Sequence, residues 1–249
     1  MTTDVGSRRQ RARLVDEVVA ELRDRIVTGQ LPPGTRLLQE DLAKELQVSR
    51  TPLREAFRVL ENERYLSTSN HNRTVEVVTL SPDDLRDMYQ LREVIDGLAA
   101  RLASQRGLST ELQSEARELL DDMSTTSASP FDPLRRTKAH GAFHSLIVRA
   151  SGNSQLQGLE PLIRRSASAF YLPFVNDPAI VQLAKEQEHN SLQKYMNDAD
   201  DQHEAILAAV LDGDAEEAER LAQEHARRGL TFVSSIDSWR QTLSAVSTP

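Results

Sequence analysis

The chain has 249 residues, of which 39% are hydrophobic and 27% are charged, which is enough for one or two domains with buried cores. It contains no cysteine, and this excludes disulfides, thiolate metal ligands and a cysteine nucleophile. The opening residues lack the apolar stretch of a signal peptide, and the longest apolar run, AILAAVL, is too short to span a bilayer. We therefore expect a cytoplasmic protein.

The net charge of −8 is unevenly distributed along the chain. Residues 1–79 carry 13 Lys and Arg against 12 Asp and Glu, whereas the remaining residues carry 17 against 26. A nearly neutral front half beside an acidic rear half indicates two units with different partners. The balance permits nucleic-acid binding by the front unit without requiring it.

The first 79 residues predict three helices followed by a β-hairpin. Apolar residues recur at helical spacing in LVDEVVAELRDRIV, and Gly29 follows where this helix would end. A turn in LPPG leads to a second short helix in LLQEDLAKEL, with Leu38 and Leu46 directed inward. A third helix in SRTPLREAFRVLENE can be capped by Ser49, and YLSTS and RTVEVV predict two strands around a polar tip. This order is typical of a winged helix-turn-helix.

The third predicted helix carries polar residues at its outward N-terminal end: Ser49, Arg50, Thr51 and Arg54. These residue types reach phosphates and base edges, and a recognition helix presents its N-terminal end to the major groove. The alternative is a solvated basic face, because charge runs on helices often have no other role. The residue types alone leave both interpretations open.

The segment GQLPPGTRLLQEDLAKELQVSRTPLREAFRVLENERYL resembles the DNA-binding domain of the GntR family of bacterial transcription regulators. The likeness runs without a gap through the PxG turn and the LAxxLxVSRTPxREA core. It implies that Arg50 and Arg54 contact the operator, assisted by Ser49, Thr51 and Arg36.

The predicted wing departs from the family pattern. Relatives usually carry an Arg-Gly pair there, whereas in this chain Arg73 is followed by Thr74. Without the glycine, a close approach of the wing backbone to DNA is not expected, although the resemblance still implies that Arg73 enters the minor groove. His71, at the tip, is interpreted as a solvent or phosphate contact.

The basic stretch RRQRAR precedes the first predicted helix. One interpretation is an arm that contacts DNA. We favour the other, a disordered tail, because its composition is typical of chain termini.

From Ser81 onward the sequence predicts helices alone. SPDDLRDMYQLREVIDGLAARLASQ opens with a serine cap, a proline in the first turn and acidic residues. Further helical segments follow, in STELQSEARELLDDM, LRRTKAHGAFHSLIVRAS, NSQLQGLEPLIRRSASAFYL, AKEQEHNSLQKYMNDADDQHEAILAAVLDGD and AEEAERLAQEHARRGLTFVSSI. The rear unit is therefore predicted to be an all-α bundle.

Five of the six histidines fall on these helical segments, and four of them, His140, His144, His203 and His225, can point into the bundle. His140 and His144 are four residues apart in HGAFHSL, so they lie on one face of a helix and can chelate one metal ion. His203 and His225 lie in the middle of two later helices, beside small or apolar residues. The alternative is a set of hydrogen-bonded core histidines. Four inward histidines on three helices fit a metal site better, because bundle-core metal sites are built from facing helices. His189 is interpreted as a surface residue.

Three segments of the rear unit, LREVIDGLAARLA, FHSLIVRASGN and HEAILAAVLDGDAEEAERLAQEHARRGL, resemble the FCD (FadR C-terminal) ligand-binding domain of the FadR subfamily of GntR regulators. Metal-binding members use an Asp-x3-His pair and one histidine on each of the last two helices. The resemblance implies that His144, His203 and His225 are ligands, with His140 where relatives carry aspartate. Four imidazoles carry less negative charge than three imidazoles and a carboxylate, so we expect zinc or nickel rather than manganese.

Arg92 falls within the apolar stripe of the first rear helix. A buried guanidinium requires an anion. Asp96, one turn later, is one candidate. The other candidate is a carboxylate effector, which the planar guanidinium can bind; the matching arginine of FCD relatives often binds one. We expect Arg92 to bind the effector carboxylate. Asn153, in the SGN segment, either shapes the effector pocket or caps the next helix, and capping is favoured.

These patterns predict a winged helix-turn-helix at residues 1–79 and an all-α domain at 80–240. The two resemblances imply that the protein is a transcription regulator rather than an enzyme, and that the second domain is an FCD effector-binding and dimerisation domain. A homodimer would bind a palindromic double-stranded operator, as a repressor, under the control of a metal and a small carboxylate effector. Two alternatives stay open. One is a metal-dependent enzyme, which would need an open coordination position and a general base. The other is a metal-responsive regulator without an organic effector.

Overall fold

The computed structural model describes residues 3–68, 74–124, 132–169 and 191–246, and divides the chain into two compact units, Met1–Leu80 and Ser81–Pro249. The predictions made for His71, Arg73 and His189 concern residues outside these ranges. In the part of the chain described, no helix is long and apolar enough to cross a membrane.

The front unit consists of three helices and a small sheet, in the predicted order. In chain order its elements are α1 (Thr3–Val27), β1 (Arg36–Leu37), α2 (Gln39–Glu45), α3 (Arg50–Asn62), β2 (Leu66–Thr68) and β3 (Val75–Val77). The strands pair antiparallel in the order β1-β3-β2, with Arg36 opposite Glu76 and Leu66 opposite Val77.

The core of the front unit lies between α1, α3 and the inner face of the sheet. Leu22 of α1 and Leu53 and Leu60 of α3 are fully buried, because each belongs to an apolar stripe at helical spacing. Val75 and Val77 alternate with the less buried Glu76 and complete this core. Burial of one face fixes which side chains α3 presents outward.

Three details of the front unit differ from the sequence-based expectations. Leu38 is not inside a helix: it precedes α2 and is 62% exposed, whereas Leu37 is buried in β1. A strand of two residues is too short to show alternation, so β1 was not predicted. Ser49 occupies the N-cap position of α3, but its side chain makes no capping hydrogen bond. The expected disordered tail is also wrong, because RRQRAR lies within α1.

The rear unit is helical throughout the residues that the structure describes. Its helices are α4 (Pro82–Arg106), α5 (Thr110–Met123), α6 (Pro133–Ala150), α7 (Ser154–Gln157), α8 (Glu160–Ala169), α9 (Ser191–Asp212) and α10 (Ala215–Val246). The α4 helix begins as predicted: Ser81 and Asp84 form a reciprocal capping box, and Pro82 occupies the first turn.

The fourth predicted rear helix is divided into two. Asn153 caps the short α7, which ends before Gly158, and α8 begins at Glu160. Pro161 explains this division: it has no amide hydrogen to bond to the preceding turn, so it is tolerated in the first turn of a new helix but not in the interior of a long one.

Helix α4 is central in the rear unit and packs against α6, α8, α9 and α10. Phe143, Leu146 and Ile163 are fully buried among these helices, together with Ala99 of α4. The close approach of α10 to α4 requires Gly229, because a Cβ there would lie 2.5 Å from Cε1 of Tyr89. This packing brings polar residues of α4, α6, α9 and α10 to one place inside the bundle.

Candidate metal centre and DNA-reading helix

Four histidines converge inside the rear unit. His140 and His144 lie one turn apart on α6, His203 is on α9 and His225 is on α10, and one ring nitrogen of each lies within 4.8 Å of the others. The Nε2 atom of His144 lies 3.1 Å from Nε2 of His140 and 3.3 Å from Nε2 of His203. His140 is partly buried and the other three are buried. The structure therefore brings together all four predicted ligands.

The opposite ring nitrogens fix how two of these imidazoles are oriented. Nδ1 of His225 donates to Oε1 of Gln202 at 3.0 Å, and Nδ1 of His144 lies 3.4 Å from Oδ2 of Asp96. A carboxylate or amide oxygen at Nδ1 places the proton there and leaves the Nε2 lone pair directed at the cluster. Within the described ranges, Nδ1 of His203 has no hydrogen-bond partner.

Burial holds the imidazoles of His144, His203 and His225 in the neutral form. It lowers the pKa of His144 and of His203 well below the ordinary value for histidine, and the nearby Arg92 and the other imidazoles add to this effect. Burial also lowers the pKa of His225 to about 3, with Arg92 as the next contributor. Neutral imidazole is the form that binds a metal.

The donor set could hold a transition-metal ion. With Zn–N bonds of about 2.0–2.1 Å, neighbouring nitrogens of a tetrahedral site lie roughly 3.3 Å apart. Two of the Nε2 separations, 3.1 and 3.3 Å, are close to that spacing, and the four ligand atoms all lie within 4.8 Å of one another. Each neutral imidazole has one N–H donor and one nitrogen lone pair. Several lone pairs directed at one buried point repel each other unless a cation lies between them.

Arg92 is 1% exposed and pairs with Asp96, one turn along α4. Its Nε and Nη2 atoms donate to Oδ2 of Asp96 at 3.0 and 2.6 Å. Burial acts to lower the pKa of Arg92, but Asp96 and the nearby Tyr89 together more than reverse this, so the pKa is raised and the guanidinium stays charged. The structure thus shows the Asp96 partnership. The effector contact of Arg92 stays a prediction.

The same carboxylate oxygen of Asp96 serves Arg92 and His144 together. Its other oxygen, Oδ1, is buried and has no hydrogen-bond partner among the described residues. A cavity of about 10 Å³ adjoins Asp96, His144 and Phe143, which is room for one water at most. This cavity is too small for an organic acid. An organic acid could bind only if Arg92 turned away from Asp96 or if it occupied a different space nearby.

Asn153 acts as the N-cap of α7. Its Oδ1 accepts from the backbone amides of Gln155 and Leu156, at 3.0 and 3.3 Å. The capping role is therefore confirmed, and the contact of Asn153 with an effector stays a prediction.

In the front unit, the predicted DNA contacts lie on the outer side of α3 and on β1. Ser49, Thr51 and Arg54 are exposed at or near the first turns of α3. Arg50 pairs with the side chain of Glu40 on α2, and both are largely exposed. Arg36 is exposed on β1. The buried stripe of Leu53, Ala56, Phe57 and Leu60 orients these residues outward.

Two features of the metal centre were not predicted. Gln202 lies on α9 and His225 on α10, so their contact depends on how the two helices pack and not on a helical spacing. Gln202 also points in a different direction from its neighbour His203. The pairing of Asp96 with Arg92 follows from their spacing, but its contact with His144 depends on how α4 packs on α6. Neither contact leaves a signal in the sequence.

The fold and the exposed polar end of α3 define a winged-helix DNA-binding protein with a helical second domain. Residues 14–75 match the family of bacterial regulatory proteins called the gntR family, and residues 87–228 match the FCD domain. The chain belongs to the GntR family of transcription regulators, and its FCD domain is consistent with the FadR subfamily. The family consists of regulators rather than enzymes.

Several named proteins are similar to this chain. The Nta operon transcriptional regulator of Aminobacter aminovorans is 36% identical over 124 residues, which are 50% of this chain and 57% of that protein. A probable D-xylose utilization operon transcriptional repressor of Paenarthrobacter nicotinovorans is 28% identical over 220 residues, 84% of this chain and 85% of that protein. The match to the first of these spans little more than half of its length.

Solved structures share the fold. E. coli McbR/YncC has a TM-score of 0.67 at 19% identity, and a putative GntR regulator from Rhodococcus sp. RHA1 has a TM-score of 0.68 at 21% identity. Each comparison covers 89% of this chain and 97% of the other. The shared architecture confirms the predicted combination of a winged helix-turn-helix and a helical bundle.

Proposed function

We propose that this protein is a one-component repressor whose front unit binds a palindromic operator and whose rear unit holds a divalent metal and a small organic acid. The main support for this proposal is that four buried or partly buried imidazoles converge beside the Arg92–Asp96 pair. Repression is supported by relatives with that role, such as the E. coli repressor GlaR, which is 25% identical over 207 residues.

The metal of this proposal is zinc, with nickel as the second candidate. An all-imidazole donor set suits zinc, nickel and copper, whereas hard ions such as manganese prefer carboxylate oxygens. His140, His144, His203 and His225 would hold the ion. When bound, it would supply a positive charge. An oxygen of the effector would bind the ion as a fifth ligand or in place of the partly buried His140, because four imidazoles close a tetrahedral site.

We infer that the effector is a carboxylate, because a fully buried guanidinium, that of Arg92, lies beside the histidines and can bind an anion. Planar guanidinium groups bind carboxylates through two parallel hydrogen bonds. In the present conformation both measured donors of Arg92 go to one oxygen of Asp96. An effector carboxylate would take over these donors and leave Asp96 to His144.

Arg92→Lys is expected to keep the metal and to lose most of the effector response. Lysine keeps the positive charge near Asp96, which protects the fold, but it cannot form the bidentate contact. A lost charge-assisted hydrogen bond costs about 1.5–3 kcal/mol, or roughly 10- to 150-fold in effector affinity. The measurement is operator binding in the presence of a panel of hydroxy- and dicarboxylic acids, with metal content determined in parallel.

The matched control for this experiment is Arg86→Lys. Arg86 lies on the same helix and pairs with Asp83 on the exposed surface. This variant should respond like the wild type. A neutral effector, or a normal response by Arg92→Lys, would show that Arg92 is only the structural partner of Asp96.

We also propose that α4 mediates homodimer formation. Leu91 and Val94 are 53% and 65% exposed on one face of the helix, and Asp87 and Arg101 lie about two turns before and after Val94 on that face. In an antiparallel pair centred on Val94, Asp87 of each copy would therefore face Arg101 of the other. This self-complementarity is what a two-fold interface requires.

Val94→Glu is expected to convert the dimer to a monomer, because the two-fold axis would bring two carboxylates together in an apolar contact. The matched control is Ala208→Glu, at an exposed position of α9. Sedimentation of the full chain at micromolar concentration measures both. A wild-type monomer, or a Val94→Glu variant that sediments as the wild type does, would contradict this interface.

A further inference from the structure

The N-terminal part of α1 is basic and extends beyond the residues that pack in the core of the front unit. The helix runs from Thr3 to Val27, but its buried stripe begins only at Val15. Residues 9–14 are all exposed. They include Arg9, Arg11 and Arg13, and the chain has no acidic residue between Asp4 and Asp16.

This basic end lies beside the N-terminal end of α3, within the same unit. Residues of both helices line one surface cleft: Gln10, Arg11, Arg13, Leu14 and Glu17 of α1, with Ser49 and Pro52 at the start of α3. Nε of Arg11 lies 4.0 Å from Oε1 of Glu55 on α3. Arg11 and Arg13 therefore lie next to Ser49, at the N-terminal end of α3.

The present partners of these arginines hold them weakly. Arg13 pairs with Glu17 one turn along α1, and the side chain of Arg13 is 83% exposed. Arg11 and Glu55 are also about half exposed. Exposed ion pairs of this kind contribute little to stability and exchange readily for other anions. The helix meanwhile fixes the spacing of the arginines, which reduces the entropy lost when they bind a regular polyanion.

We propose that the basic end of α1 binds backbone phosphates of the duplex next to the base pairs that α3 contacts. Arg9, Arg11 and Arg13 would add affinity and set orientation, without reading sequence, as phosphate contacts do. The ligand is the phosphodiester backbone of double-stranded DNA, because the cleft adjoins the DNA-reading end of α3.

The test is the salt dependence of DNA binding by the full-length variant Arg9→Gln/Arg11→Gln/Arg13→Gln. The logarithm of the binding constant falls with the logarithm of salt concentration with a slope of about −0.9 for each phosphate contact. The variant should reduce that slope by about 1–3. Its affinities for operator and unrelated duplex should fall by the same factor, so that their ratio is unchanged.

Two comparison variants separate this proposal from a general charge effect. Arg220→Gln/Arg227→Gln/Arg228→Gln makes the same charge change on α10, where each arginine pairs with a glutamate, and should leave the slope unchanged. The variant Arg9→Lys/Arg11→Lys/Arg13→Lys should retain the wild-type slope. The proposal is overturned if the α1 glutamine variant keeps the wild-type slope, if the α10 variant lowers it equally, or if the α1 glutamine variant loses affinity only for the operator.

Discussion

Arg54→Ala is expected to weaken specific operator binding by about 1–3 kcal/mol, or roughly 5- to 150-fold, as for other arginines that contact base edges. The reason is its position: Arg54 is exposed, while its neighbours Leu53, Ala56 and Phe57 are buried. Arg50→Ala should fall in the lower part of the same range, since Arg50 must first release Glu40 of α2. Binding is measured by fluorescence anisotropy with an operator duplex and a scrambled duplex.

Arg58→Ala is the matched control for these variants. Arg58 is also exposed on α3, but it lies one turn farther from the N-terminal end. Any effect there should be smaller and should not depend on sequence. If both Arg50→Ala and Arg54→Ala bind the operator as the wild type does, α3 is not the recognition helix.

His203→Ala is expected to reduce zinc affinity by more than about 100-fold, beyond the 10–100-fold typical for partners of metal ligands. His203 is 1% exposed and contacts His144 directly through Nε2, so its removal opens the centre of the cluster. His203→Gln tests the same position with less loss of volume. Asp96→Asn, which changes only the carboxylate behind His144, should lose about 10–100-fold.

These affinities are measured by competition with a chromophoric chelator, with thermal unfolding followed in the presence and absence of zinc. His203→Ala should also lose the response to organic acids while operator binding without effector is largely retained. Zinc bound to His203→Ala as tightly as to the wild type would exclude His203 as a ligand. If only the Asp96→Asn variant bound zinc as tightly as the wild type, the histidines would still be the ligands, but Asp96 would have no role in zinc binding.

The parts of the fold that depend on periodicity were predictable. The inward residues of α3, the capped start of α4 and the helical character of the rear unit all follow from spacing and capping residues. Leu38 does not follow helical periodicity: it was expected to face inward, but Leu37 in the short β1 takes the buried position. A two-residue strand is defined by its partner β3, which lies far along the chain.

The candidate metal centre was predictable as a set of residues but not as an arrangement. Helical spacing and the family resemblance single out His140, His144, His203 and His225. The position of Asp96 between Arg92 and His144 depends on the approach of α4 to α6. Such contacts between helices have no fixed spacing in sequence, so they require the structure.

Metal analysis of the purified full-length protein, combined with native mass spectrometry, shows whether the four histidines hold a metal ion. We expect one zinc or nickel ion per chain, held by the four histidines, and a mass that falls by one metal ion after treatment with a strong chelator. Protein that is purified without metal and takes up neither zinc nor nickel when these are added would contradict this expectation.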